Sequence, residues 1–421
     1  MSKFKLSVSV LLVLLFSLSA IAMAQEPVTI TWSFWGDPNE LPPNYEVIEA
    51  FEAAYPHIKI ETQHAPWGSY FDRIQTQMAG GTAPDVMFLN NIPSYAARGA
   101  LMPLNDLIEK NNFDLSAYYQ ELLLPFTYQG QLHGLPRDND TTILYYNQDL
   151  FDAAGVAYPD DTWTWDDLLE AAKALTVRDE RGRVTQYGVV LESNKYTIFI
   201  HQNGGELFDD YMNPSQYLGD SPETIEAMQF MGDLINKHGV APSFAQMLQL
   251  GNSTELFASG LVAMAMTNAA RVPTFQQSDF SWGIAPLPMG PSGTRANTMS
   301  GAGYVMSSNT KHPEEAWTFL SFLGGEGGHT IFASSGVAVP AFRSEQTHNA
   351  FKNALPEGFG QIFLDDTENG KIGALFDGWV ELNSTVVTPA LDLLFIGEAT
   401  AEEVFTSIRP EIEAYLEQRS K

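Results

Sequence analysis

The chemistry-bearing side chains of this chain concentrate in Arg137-Asp138-Asn139-Asp140, four hydrogen-bonding residues that run almost directly into the apolar stretch Ile143-Leu144-Tyr145-Tyr146. Two carboxylates this close invite comparison with a glycosidase, which sets a pair of acids across a scissile bond. With 51 Asp and Glu in the chain, close pairs are unavoidable and carry no catalytic weight. A serine hydrolase would present its nucleophile in a G-x-S-x-G turn, and the sequence contains none. Cysteine is absent, which removes thiol nucleophiles, thiolate metal ligands and disulfides together. Neighbouring tyrosines can hold ferric iron, but Tyr145 and Tyr146 sit inside an apolar strand, and the eight histidines are scattered without ligand spacing. No metal and no cofactor is therefore expected, and no reaction. What remains is a run of polar groups at the start of a buried strand, the usual lining of a cleft between two lobes.

The elements around that run must position it. Val28-Thr29-Ile30-Thr31-Trp32-Ser33-Phe34-Trp35 alternates as a strand does and ends in the turn Gly36-Asp37-Pro38. A helix follows with Val47, Phe51 and Ala54 or Tyr55 at helical spacing, ended by Pro56; Ile58-Lys59-Ile60 is a second strand. The next helix carries Phe71, Ile74 and Met78 on one face and stops at Gly80-Gly81, before a third strand over residues 84–89. Strand, helix, strand, helix, strand is the grammar of a mostly parallel sheet flanked by helices. Ligands in such sheets sit beyond the carboxyl ends of the strands, which sends Trp35, Asp37 and Asn90 toward one cleft. Between residue 141 and about 290 the pattern repeats, with helices near 165–175, 222–238 and 253–260 and strands at 186–190, 261–266 and 281–285. That is a second α/β lobe.

The wording of residues 134–155, with Pro136, Asp140, Tyr145-Tyr146-Asn147, Asp149-Leu150-Phe151 and Gly155, resembles the solute-binding proteins of ABC importers, specifically their large sugar-binding family of the maltose-binding-protein kind. The resemblance continues through Gly80-Gly81-Thr82-Ala83-Pro84-Asp85-Val86, Thr164-Trp165-Asp166-Asp167-Leu168, Ala258-Ser259-Gly260-Leu261-Val262-Ala263-Met264, Trp282-Gly283-Ile284-Ala285-Pro286-Leu287-Pro288 and Lys311-His312-Pro313-Glu314-Glu315-Ala316-Trp317. Each motif alone is weak; their number and order are specific. The resemblance implies a two-lobed periplasmic-binding-protein fold of type II, with an N-terminal lobe of residues 25–137 and 297–339 and a C-terminal lobe of 138–296 and 340–421. It also implies a monomer that binds a carbohydrate, closes about a hinge and serves an ABC permease.

A sugar shows hydroxyls at its ring edge and C–H faces above and below, so its site needs aromatic planes beside carboxylates, amides and Arg. Trp35, Trp67, Trp163 and Trp379 are the stacking candidates, with a core position as the alternative for each. Gly378-Trp379 matches the place where the family sets an aromatic over its sugar. Asp37, Asn90, Asp138, Asn139, Asp140, Asn203, Asn268 and Arg271 are the hydrogen-bonding candidates, with a plain turn before Gly204 as the alternative for Asn203 and a surface ion pair for Arg271. Gly301, Gly303 and Tyr304 belong to a stretch that resembles the family's Gly-rich ligand loop; no Gly-Lys-Ser/Thr ending makes it a phosphate loop. Arg343 joins them where the chain crosses back. Trp32, Trp165, Trp282 and Trp317 read as structural. A glycerol-phosphate or polyol binder of the same family is the alternative, and would need Arg137, Arg271 and Arg343 clustered at the cleft; a secreted carbohydrate-active enzyme is a more distant one.

Residues 1–24 stand apart: Lys3 and Lys5 precede a largely apolar stretch, and Ala22-Met23-Ala24 has the small residues a signal peptidase accepts. Cleavage after Ala24 leaves roughly 400 residues, enough for two substantial cores. Without a cysteine for lipid attachment, the expected product is a periplasmic or extracytoplasmic protein that is soluble and not a lipoprotein. Losing two lysines makes it more negative still than the whole chain's −29, a surface that repels nucleic acid.

Overall fold

The computed structural model describes residues 27–36 and 38–419. The leader, its cleavage point and Asp37 lie outside the described residues. The first sheet runs in the order Ile58–Ala65, Val28–Trp35, Val86–Leu89, Gly303–Met306, Gly134–Pro136. Its first three strands are parallel, and Gly303–Met306 runs antiparallel to both neighbours. The alternation read in residues 28–35 is real: Ile30, Trp32 and Phe34 are buried, and burying an aromatic such as Trp32 contributes roughly 1.5–3 kcal/mol. Helices Pro42–Ala54 and Trp67–Ala79 bury Val47 and Phe51, and Tyr70 and Ile74, against this sheet.

The second sheet runs Trp282–Ala285, Ile143–Asn147, Val262–Thr267, Val184–Val190, Val177–Arg178. Three of its four ladders are antiparallel, so it is more mixed than the strand–helix alternation implied. The reason is topological, since Ile143–Asn147 arrives from the first sheet and enters against its neighbours. Helix Trp165–Leu175 begins with a capping box in which Thr164 accepts from the Asp167 amide and Asp167 accepts from the Thr164 amide. Helices Pro222–Asn236, Thr388–Phe395 and Ala401–Arg419 cover one face of this lobe; Ser253–Ala258, Glu345–Ala354 and Phe359–Thr367 cover the other.

Three segments cross between the sheets side by side. Asp138–Asn139 pairs antiparallel with Val339–Pro340. On its other side the Arg137 amide donates to the Ala302 carbonyl at 2.9 Å and the Asp140 amide to that of Ser300 at 2.7 Å.

Candidate functional site

The crossing segments are braced by the polar side chains that drew attention in the sequence. Asp138 accepts from the Ala302 amide at 3.1 Å, and Asn139 accepts from the Ser300 amide at 3.1 Å. The other carboxylate oxygen of Asp138 takes the Arg137 Nε at 2.6 Å, and the Arg137 guanidinium lies between the rings of Phe88 and Phe332, 3.8 Å from each centroid. Both side chains of this ion pair are nearly buried. Asp138 and Asn139, expected to face a ligand, therefore spend their hydrogen bonds within the crossing region, on Ala302 and Arg137 and on Ser300 and Thr141. Gly301 explains itself in the same place: a Cβ there would stand 2.0 Å from the Asp138 carbonyl oxygen, so the close approach it permits is between crossing strands.

One residue further on the chemistry changes. Asp140 is 37 % exposed and faces a cavity of about 810 Å³, in the upper part of the roughly 300–1,000 Å³ range of small-molecule clefts. One carboxylate oxygen meets the Lys195 Nζ at 3.0 Å and the other accepts from the Asn268 amide nitrogen. Burial works to raise the pKa of Asp140, but Lys195, Asn268 and the nearby Arg271 outweigh it and hold the carboxyl below the usual carboxylate range. Asp140 is thus a carboxylate at neutral pH. Arg271 lines the same cavity from the turn after Val262–Thr267. Tyr145, fully buried, donates its hydroxyl to the Asn268 carbonyl at 2.9 Å and fixes that turn on the sheet. Across the opening stands Trp67, the first residue of helix Trp67–Ala79, 59 % exposed and the contribution of the first lobe.

Four of the expected site residues, Trp67, Asp140, Asn268 and Arg271, are therefore brought into one cavity. Trp35 is half-buried and stacks on Phe88 at 4.1 Å, and Asn90 stands half-buried at the end of Val86–Leu89. Trp379 opens the short helix Trp379–Leu382, partly buried, with its ring edge-on to Phe208 at 5.5 Å. Other candidates are committed to the interior. Trp163 packs beside Phe151 in the core of the second lobe, and Tyr304 lies between Trp32 and Phe88 in that of the first. At Gly303 a Cβ would meet the Leu135 carbonyl oxygen at 2.3 Å, because its strand packs on Gly134–Pro136. Asn203 gives its amide to the Glu223 carbonyl at 2.8 Å and ties down helix Pro222–Asn236. Arg343 is exposed on the crossing-back segment, over the Tyr119 ring at 4.6 Å and 3.4 Å from Glu368, a tether between lobes.

Lys195, Glu192, Asn194, Phe244, Met247, Asn252 and Glu255 also line the cavity and were not singled out in the sequence. The available signal was Glu192-Ser193-Asn194-Lys195, a polar quartet between the apolar strand Val184–Val190 and the apolar helix Tyr196–Gln202. Glu192 accepts from the Ser253 hydroxyl, and Glu255 closes a capping box with Asn252. The lining offers aromatic and thioether faces, carboxylates, amides and two cations at close range. Among the described residues, no group of three or more His, Asp or Glu is arranged to hold a metal ion.

Residues 39–330 match the family of bacterial extracellular solute-binding proteins. A protein of Brucella abortus (strain 2308) that is named only as a binding protein is 23% identical over 377 residues, 88% of this chain and 89% of its own. The arabinooligosaccharide-binding protein of Bacillus subtilis (strain 168) is 26% identical over 294 residues, 66% of this chain and 65% of that protein. Among solved structures, the ABC substrate-binding protein of Listeria monocytogenes in complex with cycloalternan superposes with a TM-score of 0.83 at 26% identity, covering 93% of this chain and 99% of that one. Its two-lobed architecture is shared by this chain.

Proposed function

The chain belongs to the bacterial extracellular solute-binding proteins, and on that premise we propose that it captures a di- or oligosaccharide between its lobes and delivers it to the membrane permease of an ABC importer. The observation that carries the reading is the single cavity in which Trp67 of the first lobe faces Asp140, Lys195, Asn268 and Arg271 of the second. An aromatic plane opposite a fork of donors and acceptors suits a sugar ring, whose faces are apolar and whose edge is polar. The size of the cavity favours more than one ring, and the printed ligands of the relatives, arabinooligosaccharide and cycloalternan, point the same way.

The lobes are taken as residues 25–137 with 297–339, and 138–296 with 340–421. Ligand that touches both lobes binds the closed form more tightly than the open one and shifts that equilibrium. The crossing segments at 137–140, 300–302 and 339–341 are the hinge, and no bond of the sugar is broken. The glycerol-phosphate alternative loses support, because Arg137 is locked in its ion pair and Arg343 is tethered to Tyr119 and Glu368. The family is extracellular, and among the described residues no helix is long and apolar enough to cross a membrane.

A thermal-shift screen over mono-, di- and oligosaccharides and glycerol 3-phosphate tests the proposal, since a ligand that prefers the folded state raises Tm with concentration. Oligosaccharides are expected to raise it and be recovered unchanged. A response to glycerol 3-phosphate alone, or a cleaved sugar, would overturn the reading.

A further inference from the structure

Asn268 carries an acceptor that the protein itself does not use. Its side-chain nitrogen donates to Asp140, and a carboxylate can only accept, so the orientation of the amide is dictated by its partner. That leaves Asn268 Oδ1 shielded from solvent and without a hydrogen-bond partner among the described residues. A buried acceptor left open in this manner is costly unless a donor arrives. The same residue lines the cavity, so the donor can come from a ligand.

Its surroundings say what kind of ligand. Asp140 is committed to Lys195 and Asn268, Glu192 to Ser253, and Glu255 to Asn252. Lys195 is neutralised by Asp140, whereas among the described residues Arg271 has no carboxylate in salt-bridge contact. The lining therefore offers an open acceptor on Asn268 and open donors on Arg271. Its formal charge, three carboxylates against two cations, is slightly negative. A carboxylate or phosphate set between Asn268 and Arg271 would take Arg271 but leave Asn268 Oδ1 facing an oxygen that cannot donate, in a cavity lined by three carboxylates. A hydroxyl both donates and accepts. It can give its proton to Asn268 Oδ1 while it or its neighbour on the ring accepts from Arg271.

Building on the proposed sugar-binding function, we infer that Asn268, with Arg271, selects for a neutral ligand by reading one hydroxyl as a donor, and so rejects both the deoxy form at that position and the uronate or phosphate counterpart. The selectivity follows from an unpaired buried group, which penalises the analogue that lacks its partner far more than a missing methylene does.

The test uses the full mature chain, with calorimetry on maltotriose, arabinotriose, digalacturonate and glycerol 3-phosphate, followed by monodeoxy analogues of whichever neutral sugar binds. In the wild type, removal of one particular hydroxyl is expected to weaken binding at least tenfold, and the anionic probes to bind at least tenfold more weakly than the neutral ones. Asn268→Ala should bind the parent sugar at least tenfold more weakly and be indifferent to that one deoxygenation. Wild-type binding that no single deoxygenation changes by more than twofold, or that favours digalacturonate, overturns the inference while leaving sugar binding in place. No heat with any of the four probes, together with no thermal shift across the screen, overturns both. The wild-type deoxy series decides the matter even if Asn268→Ala does not fold.

Discussion

Replacing Asp138 with Asn separates the two roles a carboxylate can have in this crossing segment. The substitution keeps an oxygen for the Ala302 amide but removes the negative charge from beside Arg137, whose guanidinium is held between Phe88 and Phe332 and is 12 % exposed. Removing one partner of a buried pair strands the other charge, at a cost of about 3–5 kcal/mol. For a chain of this size each kcal/mol moves Tm by roughly 1.2 °C, so the ligand-free protein should melt roughly 4–6 °C lower. Sugar affinity of the folded variant should change little, because Asp138 is buried against the neighbouring strand and is not among the cavity-lining residues. The double variant Arg137→Met/Asp138→Asn should recover most of the loss, since Met fills an aromatic slot without a charge. Differential scanning calorimetry without ligand and titration calorimetry with it provide both readings. A wild-type Tm combined with a tenfold loss of affinity would refute the brace and return Asp138 to the ligand site.

Trp67→Ala should weaken sugar binding by roughly 1–3 kcal/mol, and because the ring is 59 % exposed the ligand-free Tm should stay within a degree or two; calorimetry on the variant checks both. Asp140→Ala removes the acceptor shared by Lys195 and Asn268 and should cost roughly 1.5–3 kcal/mol of affinity. With its folded pKa lowered, Asp140 is ionised above the ordinary carboxylate range and stays so somewhat below it, so its contribution to wild-type affinity should be flat from pH 8 to pH 5 and fall only in stronger acid. Asp366 behaves oppositely. Burial pushes its pKa up to about 6 despite hydrogen bonds from Asn297 and Asn369. The native state therefore binds its proton more tightly than the unfolded chain, a contribution complete below about pH 4 and lost as pH rises through 6. Asp366→Asn mimics the protonated form and should be more stable than wild type at pH 7.5, by up to about 3 kcal/mol, with the advantage gone at pH 4. Thermal melts across that range would show it.

Much of the scaffold could be read from residue types, because local rules and tertiary structure agreed there. The alternation of residues 28–35 and the helix at 165–175 fall where the pattern put them, and the helix read near 222–238 runs over Pro222–Asn236. The site was legible only in part. Asp138, Asn139 and Asp140 are all short hydrogen-bonding side chains in sequence, and only their register against Ser300 and Ala302 reveals that two brace the crossing segments while the third faces the cavity. Gly301 was legible as a close approach but not as an approach to Asp138. Lys195 looked like a loop lysine, since its partner Asp140 is 55 residues away in the chain. Helix Phe244–Leu250 escaped because none of its residues is buried, leaving Leu248 91 % exposed and no face for a periodicity to report.

The central claim, capture of a sugar by closure of two lobes, is tested most directly by small-angle X-ray scattering of the protein with and without a saturating oligosaccharide that raises its Tm. If the crossing segments at 137–140, 300–302 and 339–341 act as a hinge, the radius of gyration should fall on addition of sugar, and chromatography should return the sugar intact. An unchanged radius of gyration at demonstrated saturation would contradict closure, and a cleaved sugar would contradict the account as a whole.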